Sequence, residues 1–365
     1  MADMSPYVGR IDGINIQVHW ISILFLLFTL LVGAYFFLLW FVILLCILLH
    51  ELAHSITAKR NGVGIKKILL VLPLGGGSVI KDPSIKPDVE FRITLAGPLV
   101  SIMLGVAFGI LSIFVPGGMV RSMVQLLFLI NVALGVLNLV PWFPLDGGRL
   151  LRSYLQRTRS FFDSTRISVN VSKALTALFV IGTIVFAAFF MGHYSFAYRE
   201  FVVVIDLVMA MFIYSGAQGE MQATYAKEYS KGMRASSIIN TSFILAKPAW
   251  TIRQIHEAME KHHTHIMLFT SGKAVRYIPP VSYQSMRKPP GKALTAMDIS
   301  REIPAVRIGT PVPGIIDVMR NEESSIVAVT KGARIIGYIL SQHLESMLAL
   351  RMHEAAIKRA SSRKQ

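Results

Sequence analysis

The stretch ILLHELAHSI, residues 47–56, decides the fold. Three apolar residues lead into His50 and Glu51, and His54 follows one helical turn after His50. No Asp, Glu, Lys or Arg stands between Asp12 and Glu51, so two imidazoles and a carboxylate sit in a segment otherwise suited to lipid. A charge inside a membrane helix costs at least about 2.5 kcal/mol, and such residues are functional by default. On a helix, His50 and His54 at i and i+4 share one face, where two imidazoles can hold a Zn²⁺. Glu51 then stands beside them as a general base. A catalytic zinc also needs a third protein ligand and an open position for water.

The rest of the chain supplies the membrane setting. Its 365 residues are 53% hydrophobic and 16% charged, with mean hydropathy +0.54. Soluble domains carry about 25% charge. The net charge is +16, yet the Lys and Arg residues form no stripe interleaved with aromatics. They sit beside the apolar runs and in the C-terminal region, which argues against nucleic acid and for the lipid bilayer. The single cysteine, Cys46, excludes an internal disulfide framework and any CxxC metal site. The N-terminal apolar run has no small-residue cleavage site and is expected to be a retained span.

A helix crosses the hydrocarbon core in about 20 residues. The apolar runs predict six spans, at about 16–33, 37–58, 91–115, 122–142, 172–192 and 200–217, with LLVGAYF (residues 30–36) as the first turn. Lys and Arg crowd the connectors after the second and fourth spans, which places those connectors, both termini and the C-terminal region in the cytoplasm of a multi-pass cell-membrane protein. Residues 63–80 are apolar and β-branched but broken by Pro73 and the glycines Gly75, Gly76 and Gly77, so they predict a short hairpin or re-entrant strand. The fold class is a polytopic α-helical membrane protein of about six transmembrane helices with a short membrane-embedded β-hairpin, plus a C-terminal soluble α/β domain. The expected domains are a membrane domain at 1–225, a repeat domain at 226–350 and a basic tail at 351–365.

The candidate third ligand is in NLVPWFPLDGGRLLR, residues 138–152. Pro141 and Pro144 break the fourth span, and Gly147 and Gly148 permit close backbone approach, so Asp146 can reach back into the bundle. Taken alone, Asp-Gly-Gly is equally an ordinary turn. Arg149 is expected to snorkel towards the headgroups. Asp206, in the sixth span, marks a gating hypothesis, and the HHTH run at 262–265 reads as solvated surface histidines.

HELAH in one span followed by NxxPxxxLDG at a later one resembles the site-2 protease family of intramembrane zinc metalloproteases. The resemblance covers the second to fourth spans and the six-span layout. It implies that His50, His54 and Asp146 ligate one Zn²⁺ per chain, that Glu51 activates water, and that Asn138 lies beside the site. It also implies that the segment Leu74, Gly75, Gly76, Gly77 and Ser78 binds substrate. No PDZ-like insertion interrupts the chain, which is the archaeal and spore-former pattern.

The C-terminal region repeats itself. At a fixed offset Ile255 meets Ile315, Met259 meets Met319, Thr270 meets Thr330 and Gly272 meets Gly332. Each copy reads as helix, strand, Gly turn, strand, and the pair resembles tandem CBS repeats. Where that family carries its nucleotide-binding pattern, this chain has Gly337, Leu340 and His343, and the first copy has Pro279-Pro280, which argues against adenine nucleotide as its ligand. The CBS-like pair is a candidate for homodimerisation. The expected activity is an intramembrane zinc endopeptidase acting on transmembrane protein substrates. The alternative is a CBS-gated metal transporter or channel, which would need ionisable residues along several spans.

Overall fold

The long N-terminal apolar run breaks at Gly33, whose φ of 153° ends one helix as the next begins. The computed structural model describes residues 6–72, 75–80, 85–189, 195–264, 266–272, 274–279 and 294–362. Ahead of that break the expected first span is shorter than its hydropathy suggests. Ile16 and Val18 lie in a strand, and helix α1 covers only Trp20–Val32. Thirteen residues rise about 20 Å, less than the roughly 30 Å hydrocarbon core. The strand forms because Ile14, Ile16 and Val18 alternate with Asn15 and Gln17, and because Asp12 (φ 47°) and Gly13 (φ 78°) make the turn between β1 (Tyr7–Ile11) and β2 (Ile14–Val18).

Helix α2 (Ala34–Arg60) carries the HELAH sequence, and α1 folds back on it with Phe25 edge-on to Trp40. The expected hairpin at 63–80 is present as β3 (Ile65–Val71) and β4 (Gly75–Ile80). It joins the N-terminal hairpin in one sheet of order β1-β2-β3-β4, with β2 parallel to β3 and β4 at the edge. The alternating residues Ile14, Ile16, Val18, Ile68 and Leu70 bury one face of this sheet with Leu44 and Leu52 of α2. The sheet is thereby fixed to the helix that bears the histidines. Ser22 of α1 adds a stitch: its Oγ accepts from Leu72 N at 2.7 Å.

Three more long apolar helices follow: α3 (Pro87–Phe114), α4 (Met119–Leu137) and α6 (Phe161–Phe189). With α2 and α7 (Phe196–Tyr229) they make five helices among the described residues that are long and apolar enough to cross a membrane. Helices α3 and α4 approach closely at small residues, as membrane helices do. A Cβ on Gly135 would meet the Pro98 carbonyl at 2.9 Å, and one on Gly105 would meet Val132 Cγ2 at 2.6 Å. The expected fourth span, 122–142, stops early: Asn138 caps α4 and the chain leaves the helix through Pro141 and Pro144. A short helix that hydropathy does not announce, α5 (Asp146–Leu155), then precedes α6.

Two compact units divide the chain, Met1–Thr224 and Tyr225–Gln365. In the second, each repeat copy runs strand, helix, antiparallel strand pair. The first is β5 (Ile244–Leu245), α8 (Ile252–His262), β6 (Met267–Ser271) and β7 (Ala274–Ile278), followed by α9 (Ala296–Ile299) and β8 (Arg301–Ile303). The second is β9 (Ala305–Arg307), α10 (Val312–Asn321), β10 (Ile326–Lys331) and β11 (Arg334–Leu340), followed by α11 (Ser341–Ser362). The helix, strand, Gly turn and strand expected from the repeat are present in each copy, and the short leading strands β5 and β9 are additional to them. Equivalent positions behave alike: Ile255 and Ile315 are fully buried, and Gly272 and Gly332 turn at φ 60° and 65°. Leu268, Val275 and Tyr277 of the first copy share one core with Ile326, Ala328 and Tyr338 of the second.

Candidate metal centre and active site

His50, Glu51 and His54 are all buried, in the second half of α2. The two imidazoles point away from the sheet towards α3. His54 Nδ1 donates to the carbonyl of Ile93 at 2.7 Å, and His50 Nδ1 lies 2.9 Å from Ser101 Oγ. A carbonyl only accepts, so the His54 proton sits on Nδ1 and its Nε2 offers a lone pair inward. The Ser101 hydroxyl fixes the orientation of the His50 ring. Between these two contacts α3 presents Gly97, whose missing side chain makes room for the rings: a Cβ there would stand 2.2 Å from His54 Nε2 and 2.7 Å from His50 Nε2.

Asp146 completes the group from the first residue of α5. Its Oδ2 lies 3.3 Å from His50 Nε2 and 3.1 Å from His54 Nε2, and the two nitrogens are 3.1 Å apart. Three potential ligand atoms thus converge on one point, an arrangement suited to a cation. A tetrahedral ion with ligands at about 2.0–2.2 Å has edges of about 3.3–3.6 Å, so the triangle is close to the size of one zinc face. These three residues are the one group among the described residues with this ligand spacing.

The approach of Asp146 depends on packing around the break in α4. A Cβ on Gly147 would collide with the Val140 carbonyl, and one on Gly148 would meet the Phe143 ring at 2.7 Å. The Trp142 indole donates to Thr176 Oγ1 at 2.9 Å, and Phe143 N donates to Ser172 Oγ at 2.9 Å, so α6 holds the segment that delivers the aspartate.

A cavity of about 530 Å³ opens over the group, lined by His50, Glu51, His54 and Asp146 together with Asn138, Gly76, Gly77 and Phe212. Asn138 donates its amide to the Leu134 carbonyl at 2.8 Å and faces the cavity from the end of α4. Gly76 of β4 packs directly on Glu51, where a Cβ would stand 2.9 Å from Cγ. Gly75 and Ser78 pair with Val71 and Ile68 along the same strand, and Leu74 lies outside the described residues. Arg149 also lines the cavity but turns to Glu220 at 3.9 Å, not to Asp146. Asp206 accepts from Thr183 Oγ1 at 3.0 Å.

Sequence reasoning missed Ile93, Gly97 and Ser101, which hold or accommodate the imidazoles, because small and apolar residues in a long span carry no motif. It also missed the surroundings of Arg152. That buried guanidinium bridges Glu90 of α3 and Glu220 of α7. Burial disfavours its charge, but the two carboxylates outweigh burial and raise its pKa above the usual arginine range.

Comparison with known proteins places this geometry in context. The family model for peptidase family M50 matches residues 37–121 and 117–182, which include both motifs. A zinc metalloprotease of Methanocaldococcus jannaschii is 30% identical over 90% of this chain and 92% of its own length. Rip3 of Mycobacterium tuberculosis is 27% identical over 93% of this chain and 91% of its own length. Among solved structures, a site-2 protease from Methanocaldococcus jannaschii is 33% identical, with 60% of this chain and 95% of that chain covered and a TM-score of 0.43.

Proposed function

Since this chain belongs to peptidase family M50, a family of zinc metalloproteases, we propose that it hydrolyses peptide bonds in or near the transmembrane segments of membrane proteins, with one zinc per chain held by His50, His54 and Asp146. The observation that carries the assignment is the convergence of three potential ligand atoms within 3.3 Å of one another while the outward ring nitrogen of His54 is tied to a carbonyl. Zinc held by these three residues would supply Lewis-acid chemistry, polarising a carbonyl and lowering the pKa of water. Glu51 is the base that takes the proton from the attacking water and returns it to the leaving amine. Asn138, at the cavity wall, is suited to hold the substrate backbone or the developing oxyanion.

A substrate helix hides its amides in its own hydrogen bonds and must unwind to be cut. Edge strand β4, lying on Glu51 through Gly76, supports docking of the unwound segment as an added strand. Gly75, Gly76, Gly77 and Ser78 are the proposed contacts. The distribution of Lys and Arg supports a cytoplasmic placement of both termini and the C-terminal unit. Family membership favours hydrolysis over the transporter reading, in which Glu51 has no task.

Purified protein offered single-span substrates tests this. The wild type is expected to contain stoichiometric zinc and to cleave, and Glu51→Gln to keep zinc and lose cleavage. Cleavage undiminished in that variant would remove Glu51 as the base. Wild-type protein without zinc would remove the ligand set. Asp146→Ala should weaken zinc binding more than Glu51→Gln does, and equal retention would take Asp146 out of the set.

A further inference from the structure

Arg152 lies six residues beyond Asp146 on the same short helix, is buried, and touches nothing that reacts. Its Nη1 donates to Glu220 Oε2 at 3.0 Å, and its Nη2 donates to Glu90, which also accepts from Gln156 Nε2 at 3.3 Å. The guanidinium lies over the rings of Phe143 and Phe161, at 5.5 and 5.1 Å from their centroids. Phe143 is fully buried and stands three residues before Asp146. Arg152 therefore grips α5 on both sides of the aspartate, through the helix behind it and through the loop ahead of it.

The two carboxylates lead to different places. Glu90 is on the face of α3 that continues through Ile93, Gly97 and Ser101, the residues that hold or accommodate the two imidazoles. Glu220 is on α7, whose last residues, from Tyr225, belong to the C-terminal unit. Ala226 and Tyr229 at that end pack on the core of the second repeat copy.

We propose that Arg152 is a positioning residue: by bridging Glu90 and Glu220 it sets the distance of Asp146 from His50 and His54, and so makes the metal centre respond to the placement of α7. The proposal rests on the ligand set above. A buried ion pair adds little net stability over apolar groups of similar volume, whereas removing one partner alone is costly. The geometry imposed on Asp146 gives the cluster a task that net stability does not.

The same physics supplies the test. Arg152→Met alone leaves two half-buried carboxylates without their shared cation and is expected to be destabilised. The triple variant Glu90→Gln, Arg152→Met, Glu220→Gln removes every charge of the group and is expected to fold with a melting temperature near that of the wild type. It should bind zinc about 10- to 100-fold more weakly, as loss of groups that orient ligands does. The visible spectrum of the cobalt-substituted protein should shift as Asp146 leaves its place. Glu220→Gln alone should show a smaller change of the same kind, and Arg152→Lys should restore affinity only in part, since an ammonium lacks the planar fork. A folded triple variant with wild-type zinc affinity and an unchanged cobalt spectrum would overturn the proposal while leaving the ligand assignment intact. If the triple variant does not fold, Glu220→Gln decides: wild-type affinity and spectrum there overturn the proposal. Absence of zinc from the wild type would instead defeat the ligand assignment.

Discussion

Replacing Gly97 with Ala puts a single methyl between α3 and the two imidazoles. Alanine favours a helix over glycine by about 0.8–1.0 kcal/mol, so the backbone gains from the change. The methyl would stand 2.2 Å from His54 Nε2, 2.5 Å from His54 Cε1 and 2.7 Å from His50 Nε2. Ordinary contact is about 3.5 Å, so the His54 ring must retreat by about 1.3 Å. Metal–ligand distances tolerate about 0.2 Å, several times less than that retreat. The ring cannot pivot freely either, because its Nδ1 is tied to Ile93 and its neighbour to Ser101. The expected Gly97→Ala protein is folded, with the helix gain offset by the clash with the imidazoles, and unable to hold zinc. Competition against a chromophoric chelator reads the affinity, and the loss should exceed the about 10- to 100-fold that outer positions cost. Gly182→Ala in α6, where the new methyl meets nothing within 4 Å beyond its own stretch of helix, is the matched control and should bind zinc normally. Wild-type affinity in Gly97→Ala would refute the placement of the imidazoles over α3.

Other substitutions test neighbouring parts of the same construction. Ser101→Ala removes the partner of His50 Nδ1 and should lower zinc affinity about 10- to 100-fold without unfolding the protein, measured by the same competition. Gly76→Ala sets a methyl 2.9 Å from Glu51 Cγ and should reduce kcat while zinc content stays at the wild-type level. Gly147→Ala drives a methyl into the Val140 carbonyl, which is backbone and cannot yield, and should cost about 1–3 kcal/mol or more, seen as a lower Tm with loss of zinc.

The parts of this protein legible in its sequence are those that violate their surroundings. Charged and imidazole groups in an apolar helix stand out at His50, Glu51 and His54, and prolines in a span followed by Asp-Gly-Gly stand out at Asp146. The internal repeat was legible because two copies of one unit bury the same positions, Ile255 with Ile315 and Met259 with Met319. What escaped conforms to its surroundings. Gly97 and Ser101 are ordinary residues of a membrane helix, and only the approach of another helix gives them a task. Helix α5 was hidden because it is short and its Arg152 finds partners 62 and 68 residues away. The N-terminal hairpin did leave a signal, a DG turn before INIQV, but its apolar residues ran on into α1 and were absorbed into the first span.

Helix α3 carries one further consequence. Glu90, Ile93, Gly97 and Ser101 recur at intervals of three and four, so they form one straight edge along some 16 Å of helix. Each is useful only in phase with the others. One inserted residue between Ile93 and Ser101 would turn everything beyond it by about 100° and point Ser101 at lipid. The outward face of this helix, with Met103, Ile110 and Ile113, is free to drift among apolar side chains. Its length over this interval is not: α3 serves as a ruler, and what it measures out is the gap between two imidazoles and a carboxylate.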